Sequence, residues 1–123
     1  MSITVAEAIS SVPQSLAGRS VLAKFFRAAG DPSRLALLSF VAEVERSATE
    51  CVEHLGTAQS RVSAHLACLV TCGFVTSRRE GRFVYYRVTD QRVLELVRLG
   101  AALAADNAAA VAACTRVAPA SAS

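Results

Sequence analysis

The chain has no tryptophan, two tyrosines and a single methionine in 123 residues, and only 19% of its residues are charged. That length fits one compact domain rather than two. No apolar run approaches the ~18 residues of a membrane span, and the N-terminus has neither the basic start nor the apolar core of a secretory signal. The expected location is therefore cytoplasmic, with no membrane partner. There is no glycine-rich phosphate loop, no nucleophile beside a base and no paired-carboxylate site, so an enzyme is not expected. The excess of positive charge is also small, at a formal net +3. Any nucleic-acid footprint must come from local clustering. Arg61, Arg78, Arg79, Arg82 and Arg87 supply such a cluster within 27 positions.

Cysteine is present four times, as Cys51, Cys68, Cys72 and Cys114. In a reducing cytosol these read as free thiols, metal ligands or redox sensors rather than structural disulfides.

Hydrophobic spacing orders the rest. Residues 1–14 form an extension with a weak helix through Ile3, Val5, Ala6 and Ile9, closed at Val12-Pro13. Leu16, Val21, Leu22, Phe25 and Phe26 predict a helix from 15 to 29 that ends at Gly30. Asp31-Pro32 then supplies an N-cap acid and a first-turn proline for a helix with Leu35, Leu37, Leu38, Phe40 and Val41 buried. A short helix over 48–55, with Cys51, Val52 and Leu55 inward, stops at Gly56, and another starts near Gln59 or Ser60. That pair is a helix-turn-helix signature. Two β-rich runs, 74–78 and 82–88, bracket Arg79-Glu80-Gly81 as a hairpin tip, the wing. One long helix from Asp90 to about Ala113 is too apolar to be solvated all round. The expected fold is mainly α with a small β-hairpin, a winged helix-turn-helix domain over 15–114, with 115–123 a disordered tail.

On the helix from Gln59, Val62, Leu66, Leu69 and Gly73 form one stripe, whereas Arg61, His65, Cys68 and Cys72 form another, about 100° away. Cys68 and Cys72 are i and i+4, with β-carbons about 6 Å apart, so their side chains can converge on one ion. Gln59, Ser60, Arg61, Ser63 and Ala64 occupy the other half of the helix, toward a major groove. Arg78, Arg79 and Arg82 on the wing are expected at DNA phosphates. Tyr85 and Tyr86 alternate across a strand, one inward and one outward. Two copies reading an inverted repeat would hold their reading helices about 34 Å apart.

The order Asp31-Pro32-Ser33-Arg34, Leu55 to Leu66, Cys72-Gly73-Phe74-Val75 and Gly81 to Tyr86 resembles the ArsR/SmtB family of metal-responsive repressors over roughly residues 18–105. The resemblance implies a homodimer, held by its first and last helices, that binds double-stranded operator DNA without metal and leaves it on metal binding. Cys68-x-x-x-Cys72 with a later cysteine is similar to the CmtR type of cadmium/lead sensor. Cys114 would be the third ligand, from the other subunit. The family's arsenic motif in the preceding helix is missing, since Cys51 falls at an apolar core position. Its C-terminal zinc site needs histidines, and none follows His65. His65 matches a structural histidine of the family, although its place on the thiol stripe leaves a fourth-ligand role open, and His54 reads as a surface residue.

Thiolates without partner histidines or carboxylates favour soft ions over magnesium, calcium or manganese. Zinc prefers a complete tetrahedral set. Cd(II) and Pb(II) lead, with Hg(II) and As(III) behind. Three other readings stay open: the cysteines as small core hydrophobes, a thiol redox repressor of the same fold, and a helix-turn-helix module that binds protein only.

Overall fold

The computed structural model describes residues 2–118. The elements run α1 (Val5–Ser11), α2 (Leu16–Ala29), α3 (Pro32–Ala42), β1 (Arg46–Ser47), α4 (Ala48–Leu55), α5 (Gln59–Thr71), β2 (Thr76–Glu80), β3 (Phe83–Arg87), α6 (Gln91–Asp106) and α7 (Ala108–Ala113). No helix among the described residues is long and apolar enough to cross a membrane.

Local chemistry sets most boundaries. Ser15 Oγ accepts from the Gly18 amide and caps α2, and Asp31 Oδ1 accepts from the Arg34 amide at 3.0 Å, with Pro32 in the first turn of α3. Each satisfies an amide that the helix itself leaves orphaned. Ser47 and Glu50 form a reciprocal capping box at the start of α4. Gly56, at φ +68°, ends α4 in the left-handed region where a side chain would be strained. The expected tail from 115 lies mostly outside the described residues, which end at Ala118.

The sheet has three antiparallel strands in the order β1-β3-β2. β1 was not anticipated: Arg46 pairs with Tyr86 and Ser47 with Tyr85, which ties the sheet to the start of α4. The wing tip also differs from the expected 79–81. Arg79 pairs with Val84 and Glu80 with Phe83, leaving Gly81-Arg82 as a two-residue turn with Gly81 at φ +62°. Phe74 and Val75, expected in the first strand, precede it and are buried. Tyr85 and Tyr86 are both half-buried rather than one in and one out.

Leu37, Leu38 and Val41 of α3, Cys51 of α4, Val62, Leu66 and Leu69 of α5, and Phe74 form the centre of the core. Burying each large apolar side chain contributes roughly 1.5–3 kcal/mol, so α5 is firmly seated on one face. Leu35 is a correction, being 45% exposed at the start of α3. The single long C-terminal helix is another. Asn107 interrupts it, and its Nδ2 donates to the Leu103 carbonyl at 2.8 Å, a side-chain bond that competes with helix continuation. Leu16, Val21 and Phe26 of α2 and Leu99, Leu103 and Val111 of α6 and α7 remain exposed.

Candidate functional site

α5 carries both sets of candidate residues. Val62, Leu66 and Leu69 anchor it in the core, which turns Gln59, Ser60, Arg61, Ser63 and Ala64 outward, all exposed. Its N-cap is Ala58, which offers no side-chain acceptor, so the first-turn amides keep their positive end of the helix dipole uncovered.

On the wing, three arginines occupy different situations. Arg78 holds Glu45 through Nε at 2.8 Å and Nη2 at 2.6 Å, and Glu80 through Nη1 at 2.7 Å. Its guanidinium also lies 4.7 Å from the centre of the Tyr85 ring. These bonds push its pKa up, first through Glu45 and then through Glu80. Arg82 lies over Phe83 at 5.3 Å. Arg79 makes no ion pair among the described residues. The charges of Arg79 and Arg82 are therefore available to phosphate, while that of Arg78 is already matched.

The four cysteines are all free thiols. Cys68 and Cys72 are half-buried and packed against the core edge, so the thiol stripe is not a solvent-facing one. Cys72 is the C-cap of α5, and its amide donates to the Cys68 carbonyl at 3.0 Å. Burial pushes the Cys72 thiol above its ordinary pKa, and the charge and side-chain hydrogen bond of Cys68 add to this, against opposing charges on Lys24 and Arg34. Two soft donors one turn apart, in a partly desolvated place, suit a thiophilic ion. They do not complete a site within one protomer. Cys114 is exposed, and no group of three metal-ligating side chains gathers among the described residues.

Cys51 behaves as expected of a core residue, with burial and then the Glu50 charge pushing its thiol up to about 11. His54 is exposed and stacks on Phe40 at 3.9 Å. His65, placed by its spacing on the thiol stripe, is only 7% exposed, with Nδ1 3.2 Å from Arg34 Nη1. Asp31 completes that neighbourhood. Burial alone would push its carboxyl up, but the Arg34 amide and the Arg34 charge hold it below the usual range.

Two features escaped the sequence reading. Arg34 was seen only as part of a capping segment, although an arginine in the first turn of an apolar helix signals a charge that must fold back onto something. Thr57, in the turn before α5, has a buried Oγ1 without a hydrogen-bond partner, and nothing in its local sequence marks it.

Residues 31–77 match the family model described as bacterial regulatory protein, arsR family. The chain is 57% identical over 95 residues to a probable mercury resistance operon repressor of Streptomyces lividans, covering 77% of this chain and 76% of that one. It is 36% identical over 92 residues to the transcriptional regulator CmtR of Mycobacterium bovis, covering 72% and 78%. Among solved structures, it resembles the homodimeric winged helix-turn-helix DNA-binding domain of a possible ArsR-family regulator from Mycobacterium bovis. That match has a TM-score of 0.66 and 31% identity over 77% of this chain and 90% of that one. The exposed polar face of α5, the three-stranded wing and these similarities lead to one conclusion: the chain belongs to the arsR family of bacterial regulatory proteins, with the winged helix-turn-helix fold of DNA-binding transcriptional regulators.

Proposed function

We propose that this protein is a cytoplasmic metal-sensing repressor, a homodimer that binds an inverted-repeat operator when metal-free and leaves it when Cys68 and Cys72, with Cys114 of the other subunit, bind a thiophilic ion. One observation carries the reading: a half-buried pair of thiols one turn apart closes the same helix whose opposite end is exposed, polar and uncapped. Gln59, Ser60, Arg61, Ser63 and Ala64 meet base edges and phosphates, and Arg79 and Arg82 hold the backbone from the wing. Arg78 contributes least, because Glu45 and Glu80 already balance it. The exposed apolar residues of α2, α6 and α7 support a dimer built from the first and last helices.

The resemblance to CmtR-type sensors favours Cd(II) or Pb(II). The 57% identity to a probable mercury resistance operon repressor moves Hg(II) to the front of the same thiophilic class, with As(III) behind. Bound at these residues, the ion supplies thiolate coordination in exchange for thiol protons. The change in operator affinity is limited by how much better the ion binds the free protein, typically ~1–3 kcal/mol.

A redox repressor uses the same two sulfurs, which lie one turn apart on α5. Against it stands the raised Cys72 pKa, since oxidants attack thiolate, whereas a tightly bound ion can displace the proton. The test is an operator-anisotropy titration with Hg(II), Cd(II) and Pb(II). Release by at least one ion is expected. Operator affinity unchanged at saturation with all three, or release by peroxide alone, would overturn the proposal.

A further inference from the structure

Arg34 sits in the first turn of α3, but its side chain serves two other helices. Nε donates to the Ala28 carbonyl and Nη2 to the Arg27 carbonyl at 3.2 Å, both at the end of α2. Nη1 lies 3.2 Å from Nδ1 of His65, in the middle of α5. A guanidinium only donates, so His65 Nδ1 accepts and its proton resides on Nε2.

Each contact has a physical reason. The last carbonyls of α2, of which Arg27's also accepts from the Gly30 amide, lie at the negative end of the helix, where a cation is stabilising. The planar fork of arginine satisfies them while its third nitrogen reaches across, a directional arrangement that lysine cannot copy. His65, almost fully buried, is fixed in turn by the core around α5. His65 also stands one turn before Cys68 on α5. The guanidinium thus joins α2, whose exposed apolar residues face outward, to the helix that carries both thiols and the polar reading face.

We propose that Arg34 is the positioning residue that couples the thiol pair to operator binding, by holding the orientation of α5 against α2 through His65. The inference rests on the function proposed above. A purely structural cap would affect metal-free and metal-bound protein alike and leave the ratio of their operator affinities unchanged. A coupling residue changes that ratio.

The experiment measures operator affinity with and without saturating Hg(II), together with the ultraviolet thiolate-to-metal band, in wild type, Arg34→Gln, His65→Leu, His65→Gln and the Arg34→Gln/His65→Leu double variant. Wild type is expected to lose affinity by about 5- to 150-fold on metal binding. Arg34→Gln and His65→Leu keep the band and metal-free binding, but their ratio falls to within about threefold of one. The double variant loses no more than either single variant, because both remove the same link. His65→Gln, whose amide oxygen can accept from Nη1, retains most of the response. A wild-type ratio in Arg34→Gln, or losses in the double variant equal to the sum of the singles, overturns the inference while the metal-sensing reading stands. No release in wild type overturns both. Should Arg34→Gln fail to fold, His65→Leu against His65→Gln decides, and equal ratios in those two variants overturn the inference.

Discussion

The two ends of α5 share one rigid backbone but not one environment. From Gln59 to Ala64 every side chain except Val62 is exposed, whereas from His65 to Cys72 only Ala67 and Thr71 are. The first half can therefore adapt its contacts to DNA without disturbing the core. The second half is packed against Phe74, α2 and α3, where a change in what the sulfurs bind must be absorbed by close-packed neighbours. In the proposed function, reading and sensing are separable by position and coupled by packing.

That separation can be broken by pH most strongly. The Cys72 thiol is held up by burial and then by Cys68, so at neutral pH its proton is in place and a bound ion must displace it. Apparent metal affinity should rise with pH by up to about tenfold per unit for the Cys72 proton displaced. Competition titrations between about pH 6 and pH 8 check this. Metal-free operator affinity should not share the slope, because the reading face contains no thiol.

At the other end, Arg61→Ala should weaken operator binding by roughly 1–3 kcal/mol if it contacts a base, with the metal absorption band intact. Anisotropy with the operator and spectrophotometry with Hg(II), run on the same preparation, sharpen the comparison. A weakened band would show that the two ends are not independent.

The smallest effect concerns the wing. Arg79→Ala should reduce the salt dependence of operator binding by about one phosphate contact. Arg78→Ala should change it less, since its charge is matched by Glu45 and Glu80. Plots of operator affinity against salt for the two variants give the order directly, and a larger change for Arg78 would reverse the assignment.

What could be read from the chain follows the range of the interactions. The Asp31-Pro32 start of α3 and the Gly56 stop of α4 depend on residues a few positions away, and both lie where spacing places them. The exposed reading face follows equally from the Val62-Leu66-Leu69 stripe. β1 was not legible, because it is two residues long and Ser47 also caps α4. β2 is exposed throughout, so apolar spacing points instead to the neighbouring Phe74 and Val75, which serve as core. The break at Asn107 is a single side-chain bond within an alanine-rich run of high helix propensity. Least legible was the surrounding of the thiols. His65 meets an arginine 31 positions away, a contact that helical periodicity alone does not show. The place of Cys114 depends on a second protomer in the proposed function, which no local pattern encodes.

The most direct measurement follows Hg(II) binding and operator release together in wild type and in Cys72→Ser. Wild type is expected to develop the thiolate-to-metal band and to release the operator over the same range of added ion. Cys72→Ser should bind the operator within about threefold of wild type when metal-free, since the variant leaves the reading face untouched, but lose metal-driven release, typically ~1–3 kcal/mol of coupling. Release by Cys72→Ser at the same ion concentration as wild type would contradict the account.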